Sequence, residues 1–315
     1  MLEEFAEWLV YGVLGLARET QLGAAAEFFI YDSIKVTLLL ALTSFLVGMI
    51  RTYVTHDRVK KLLGGRGEGV GNIMAAILGI PTPFCSCSAV PLFIGFIEAG
   101  VPLGVTFSFL IACPLINEVA LAMLLGLFGM NVAALYVASG LAIAVVAGII
   151  IGRLNLEKEI EKSIRIKSVK RSAKGMNVGQ RLDFAISQSK RITLGVLPYI
   201  LFGIAVGAFI HGFLPENFLL SIAGKDNPFA VPVAVLIGIP LYSNAAGAVP
   251  VIEALVAKGM AMGTALALMM SIVGLSLPEM IILRKVLKPK LIAIFAIVLF
   301  IAFVVTGYVF NLVLG

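Results

Sequence analysis

The sequence predicts an all-α polytopic membrane protein made of two inverted repeats, each with three spanning helices and one proline-broken re-entrant hairpin. Three observations lead there. Of 315 residues, 60% are hydrophobic and 13% charged, with mean hydropathy +1.05, whereas soluble domains average about 45–50% apolar and ~25% charged. A proline-rich interruption of apolar sequence at 79–91 recurs at 238–250. Finally, the cations gather in three short stretches between apolar runs. Runs such as 291–312 are continuously apolar rather than alternating, so helices and not a closed barrel carry the crossing.

In chain order, residues 1–28 form an N-terminal region whose partly apolar stretch, 5–17, falls short of the ~17 residues a span needs. It reads as an interfacial helix, and the acidic opening Met1-Leu2-Glu3-Glu4 lacks the basic flank of a cleavable signal. Repeat 1 covers 29–152, with spans at 29–50, 101–127 and 130–152 and a broken segment at 70–98. Residues 153–191 are a basic cytoplasmic linker. Repeat 2 covers 192–315, with spans at 192–214, 260–283 and 291–312 and a broken segment at 228–257.

Charge sets the topology. Of 24 Lys and Arg, five lie in 51–66, eleven in 153–191 and four in 284–290, and the positive-inside rule places such clusters in the cytoplasm. All three land there only if 70–98 and 228–257 enter and leave on one face. If 70–98 crossed, the linker would carry its eleven cations outside. With three crossings per half, the second half is upside down, and the two hairpins dip in from opposite faces. The competing reading is that the prolines only kink continuous helices. Pro81 and Pro83 each lack a donor, and the residue before each resists helical geometry.

The two interruptions share one register. Pro81 pairs with Pro240 and Pro91 with Pro250, an offset of 159 that Gly100/Gly259 and Gly104/Gly263 continue. Pro81, Pro83, Pro91, Pro114, Pro240, Pro250 and Pro278 are the expected hinges. Unwound backbone at membrane depth must be buried in protein or line a wet cavity. The segment Pro81-Thr82-Pro83-Phe84-Cys85-Ser86-Cys87-Ser88 is therefore expected to line a substrate path, with Ser86, Ser88, Ser243 and Asn244 as neutral hydrogen-bonding groups. Cys85 and Cys87 are its specific chemistry, since thiolates select soft acceptors such as trivalent arsenic, Cu(I) or Zn. Cys113, just before Pro114, could complete a three-sulfur set. Against this stand packing as small buried hydrophobes and a redox role, which a C-x-C pair alone supports poorly.

Carboxylates at membrane depth are costly and tend to be functional. Glu118, after Pro114 and Asn117, and Glu279, after Ser276 and Pro278, pair if the register slips by two residues to 161. The pair is assigned to proton coupling or gating, with Asn117 beside it and Glu253 as a weaker candidate. The alternative is that each carboxylate satisfies a helix end freed by its proline. Other signals are slight: the glycine-rich 64–69 lacks the Lys-Ser/Thr of a phosphate loop, and His56 and His211 are isolated. No nucleic-acid partner and no cofactor are expected. The expected partners are a small-molecule or metalloid substrate and the lipid bilayer, and a homo-oligomer is left open.

These motifs resemble the predicted permease family often called ArsP- or YraQ-like. The resemblance rests on the 81–88 segment above, on Gly238-Ile239-Pro240-Leu241-Tyr242-Ser243-Asn244-Ala245-Ala246-Gly247, and on Ser276-Leu277-Pro278-Glu279-Met280. It implies a polytopic inner-membrane permease over about 25–313, with Cys85 and Cys87 matching the family's cysteine motif. Some members are linked to efflux of trivalent organoarsenicals and relatives to Cu or Zn export, but this chain lacks the long His-rich or Cys-rich loops expected of the latter. The function expected is a secondary-active exporter of a thiol-reactive metalloid, coupled to protons and working by alternating access. A membrane thiol oxidoreductase using Cys85 and Cys87 is the alternative from another class; a carrier or channel for a sulfur-containing small molecule or soft metal ion is the third.

Overall fold

The computed structural model describes residues 2–17, 20–53, 69–80, 86–161, 177–213, 227–241, 245–284 and 286–314. Among them the secondary structure is helical apart from one isolated bridge between Ile160 and Leu287. Twelve α-helices run in order: α1 Leu2–Glu7, α2 Gln21–Tyr53, α3 Val70–Gly79, α4 Ser86–Glu98, α5 Leu103–Leu115, α6 Glu118–Arg153, which is interrupted by a non-helical kink at Gly129 (φ 83), α7 Val178–Phe213, α8 Ala230–Gly238, α9 Ala245–Ala257, α10 Met262–Gly274, α11 Leu277–Leu283 and α12 Pro289–Leu314. Four segments, 21–46, 118–153, 262–283 and 289–314, are long and apolar enough to cross a bilayer. The chain is an integral membrane protein.

Helix α12 shows how the sequence makes a span. Pro289 opens it, where a missing N–H is no loss, and 26 residues reach about 39 Å at 1.5 Å each. Leu291, Phe295, Leu299, Phe303, Gly307 and Phe310 are buried, while Ile297, Ile301, Val305 and Leu312 on other faces are exposed. At the centre lie α5, every residue of which is buried, and α10, buried from Gly263 to Gly274. Close approach there depends on glycine. A Cβ on Gly104 would strike the Gly148 carbonyl and Gly152, and one on Gly263 the Gly307 carbonyl and Asn311. Small residues give membrane helices their packing contact where lipid offers no hydrophobic driving force.

Helix boundaries repeat at the same offset of 159: Gly79/Gly238, Ser86/Ala245, Leu103/Met262, Leu115/Gly274 and Glu118/Leu277. Each half holds a helix pair joined by a break. Asn72 donates to Ser108 at 2.9 Å and Gly79 lies against Cys113, so α3 runs alongside α5 in the same sense. Helix α4 runs the other way, because Gly100 (φ 76) turns it directly into α5 with Val101 N donating to the Phe96 carbonyl and Gly100 N to that of Ile97. Phe93 on Phe107 and Phe96 on Phe109, edge to face at 5.2 and 4.9 Å, pack the return arm. Gly259 (φ 102) makes the equivalent turn from α9 into α10.

The equivalent helices α2 and α7 pack against each other and run antiparallel. Arg181 Nη1 donates to the Thr52 carbonyl, Gly48 meets Ala185, and Ser189 Oγ donates to the Ala41 carbonyl. Rising numbers on one helix meet falling numbers on the other. At the bundle's end, the stretch after α6 is clamped to the loop before α12. Glu161 N donates to the Val286 carbonyl at 2.9 Å and Lys288 N to that of Glu159 at 2.8 Å. Arg284–Glu161 at 3.1 Å and Lys288–Glu159 at 3.6 Å flank the pairing. The described ends of the linker segment thus touch the end of α2, through Arg181 on Thr52, and the loop before α12, through Glu159 and Glu161.

Three expectations change. Spans 101–127 and 260–283 are each broken, at 116–117 and 275–276. Helices α2 and α7 begin at 21 and 178, earlier than 29 and 192. The polar start of α7 stays helical because it packs on the end of α2. Pro91 and Pro250 sit six residues into α4 and α9 and do not end them. Each lacks the N–H for one carbonyl in the first turn, which leaves the remaining ladder intact. Near the N-terminus, α1 leads into a π-helical turn, Trp8–Val13, anchored by Tyr11 donating to Glu27 at 2.6 Å and exposing Leu2, Phe5, Trp8, Val13 and Leu14.

Candidate substrate site at the helix breaks

Four helix breaks converge in the middle of the bundle. Gly79, ending α3, packs on Phe109, Ala112 and Cys113 of α5; Gly238, ending α8, packs on Leu268 and Ser271 of α10. Leu277 N, opening α11, donates to the Ile239 carbonyl at 2.8 Å, which joins the break after α8 to that before α11. The two halves meet where the side chain of Leu115 lies against Gly274. Those residues are equivalent at the offset of 159.

Local chemistry explains each described break. Asn117 caps α6: its Oδ1 accepts from Ala120 N at 2.7 Å and its Nδ2 donates to the Pro114 carbonyl at 3.2 Å. One side chain thereby bridges the end of α5 and the start of α6. Pro114 sits in the last turn of α5. In the other half Ser276 occupies the cap position without a side-chain capping bond, and Pro278 lies in the first turn of α11, where proline is tolerated. Pro240 follows Ile239, the C-cap of α8.

The proposed site residues divide. Pro81, Pro83, Cys85, Ser243 and Asn244 fall outside the described residues, and for Ser86, Cys87, Ser88, Pro91 and Pro278 it is the helical backbone that is described. Cys113 is fully buried and its backbone abuts Gly79, two residues before Pro81. Glu279 is 1% exposed at the third residue of α11. Glu118 is exposed as the first residue of α6, and Glu253 is exposed on α9. The two-residue slip that paired Glu118 with Glu279 is not what the backbone adopts. The caps Asn117 and Ser276 align at 159, so Glu118 stands opposite Leu277, and Glu279 opposite the equally buried Ala120. Sequence reading missed Asn117 as a cap joining two helices; an Asn three residues after a proline was the available signal. Among the described residues no three His, Cys, Asp or Glu side chains gather as a metal site.

A family described as predicted permease (ArsP_1) matches residues 21–312. The chain belongs to that family. Similar proteins include UPF0718 protein MJ0584 of Methanocaldococcus jannaschii, 21% identical across 90% of this chain and 94% of its own length. UPF0718 protein YraQ of Escherichia coli is 22% identical, covering 77% and 68%. UPF0718 protein YcgR of Bacillus subtilis is 22% identical, covering 64% and 71%. No solved structure matches the chain. As a permease-family member with apolar spanning helices, the protein is a membrane transporter, and the family assignment fits a non-enzyme.

Proposed function

We propose that this permease is a secondary-active exporter in which two inverted repeats alternate access around the four helix breaks, carrying a thiol-reactive metalloid such as a trivalent organoarsenical. One observation carries the architecture: equivalent helices α2 and α7 pack antiparallel, while equivalent residues Leu115 and Gly274 touch beside the breaks. A two-fold axis in the membrane plane produces both relations. On this reading 1–28 lies at the interface, 29–152 and 192–315 are the repeats, and 153–191 is a cytoplasmic linker of the inner membrane. Segments 70–98 and 228–257 are re-entrant hairpins. The contacts of the linker's described ends with the end of α2 and with the loop before α12 support placing those loops on one face.

Cys85 and Cys87 supply soft ligands, with Cys113 on the adjoining face of α5. Ser86, Ser88, Ser243 and Asn244 line the path. Glu279 is the coupling carboxylate, because it is buried beside a break and a carboxyl in that position changes charge when it binds a proton. Glu118 and Glu253, both exposed, gate rather than couple. The test is uptake of trivalent methylarsenic into everted vesicles, beside a Cys85→Ser/Cys87→Ser double variant. Uptake by the native protein that the variant and a protonophore each abolish is the expected result. No uptake by the native protein removes the metalloid; uptake undiminished in the variant removes the cysteines; uptake indifferent to the protonophore removes proton coupling.

A further inference from the structure

A groove of about 620 Å³ lies between α11 and α12. Its walls are two helix faces at the same spacing. Leu277, Met280 and Ile281 come from α11 and Arg284 from its C-cap, and Pro289, Ile292, Ala293 and Ala296 come from α12. Each set follows i, i+3, i+4, i+7, which is one stripe of a helix. Ala293 and Ala296 provide the depth. One end lies at Leu277, whose N–H donates to the Ile239 carbonyl. The other, at Arg284, opens beside a loop carrying Lys288 and leading to the exposed Lys290. The groove is therefore apolar along its length and cationic at the membrane surface.

We propose that this groove is a binding site for an anionic phospholipid, with one acyl chain along Met280, Ile281, Ile292 and Ala296 and the headgroup phosphate on Arg284. Both ends fit. The apolar walls belong to two of the segments long and apolar enough to cross a bilayer. The guanidinium carries five N–H donors, of which Nη1 serves Glu161 and the Leu287 carbonyl. The remaining donors can take a phosphate in the forked geometry that arginine offers. Basic groups at the edge of a helix–helix crevice are a recurrent feature of anionic-lipid sites. The other half has no counterpart, since the residue equivalent to Arg284 is Leu125. The lipid would rest on the outer face of the short helix whose inner face carries Glu279.

The experiment is native mass spectrometry of the purified full chain, given equal amounts of dioleoyl phosphatidylglycerol and dioleoyl phosphatidylcholine. The native protein should retain the anionic lipid over the zwitterionic one by about fivefold, the weight of one surface cation. Arg284→Gln should bring the ratio to parity. Ala296→Trp, which fills the groove, should reduce retention of both lipids. Glu161→Gln removes the ion pair but keeps the arginine, so it should preserve the preference. Parity in the native protein, an unchanged ratio in Arg284→Gln, full retention in Ala296→Trp, or loss of preference in Glu161→Gln would each overturn the proposal; the last would make Arg284 a strut for the linker clamp.

Discussion

The two halves share a backbone and differ in what they hang on it. At the crossing of α3, α5 and α6, the first half places Asn72, Ser108 and Gly148 in a hydrogen-bonded contact; at the equivalent crossing of α8, α10 and α12 the second places Val231, Ala267 and Gly307 in an apolar one. At the breaks the first half has a bridging asparagine cap and the second a serine that makes no capping bond. The buried carboxylate Glu279 stands opposite Ala120, and the buried Cys113 opposite Ile272. Since the helices keep their boundaries through these exchanges, glycine spacing and chain direction specify the framework. The side chains at the crossings are free to specialise, and on the reading above the first half holds the soft ligands and the second the proton.

The largest effect should come from the shared element. Gly148→Ala would drive a methyl into Ser108 Oγ and to 2.6 Å from the Gly104 carbonyl, and Gly307→Ala would approach Val231 at 2.5 Å and Ala267 at 2.8 Å. Both should lower the thermal midpoint in detergent by the equivalent of about 1–3 kcal/mol, with Gly148→Ala the worse because its nearest obstacle is polar and hydrogen-bonded. An unaltered midpoint in either would sink the view that close crossings hold the halves. Next comes the asymmetry of the carboxylates. Glu279→Gln should abolish the proton dependence of vesicle uptake while Glu118→Gln leaves it in place, and equal loss in both would restore them as a pair.

The caps offer a smaller contrast. Asn117→Ala should cost about 1 kcal/mol, whereas Ser276→Ala should be close to neutral, as its side chain makes no capping bond. Denaturation midpoints of the two variants, measured side by side, read the difference directly. The smallest change expected is from Asn72→Val with Ser108→Ala, which rewrites the first crossing in the second half's residues. Replacing both partners of a buried hydrogen bond with apolar groups is nearly neutral. A loss of several degrees in the midpoint would mean that the polar contact holds something the second half does not need.

Much of this was legible in the sequence. Composition set the membrane class, and the prolines with their glycine echoes gave both helix pairs and the 159 register. What stayed hidden has physical causes. The breaks at 116–117 and 275–276 lie in sequence that is apolar on both sides, and hydropathy does not register a few missing hydrogen bonds. Glu118 and Glu279 look alike as residues, so chemistry suggested a two-residue slip that the helix boundaries do not follow; the cap positions Asn117 and Ser276 were the sounder guide to register, because a cap marks where backbone geometry changes. Pro91 and Pro250 misled in the opposite sense, since one proline a turn inside a packed helix need not end it. The polar start of α7 read as loop by charge, though contact with α2 makes it helix.

The breaks also settle an electrostatic balance. Four helix C-termini, at Gly79, Leu115, Gly238 and Gly274, and four N-termini, at Ser86, Glu118, Ala245 and Leu277, adjoin the central interruptions. Each C-terminus contributes about half a negative elementary charge and each N-terminus about half a positive one. The eight contributions cancel. The framework therefore brings donors and acceptors together with no net charge of its own, and on the proposed reading selection falls to the side chains that fill the interruptions.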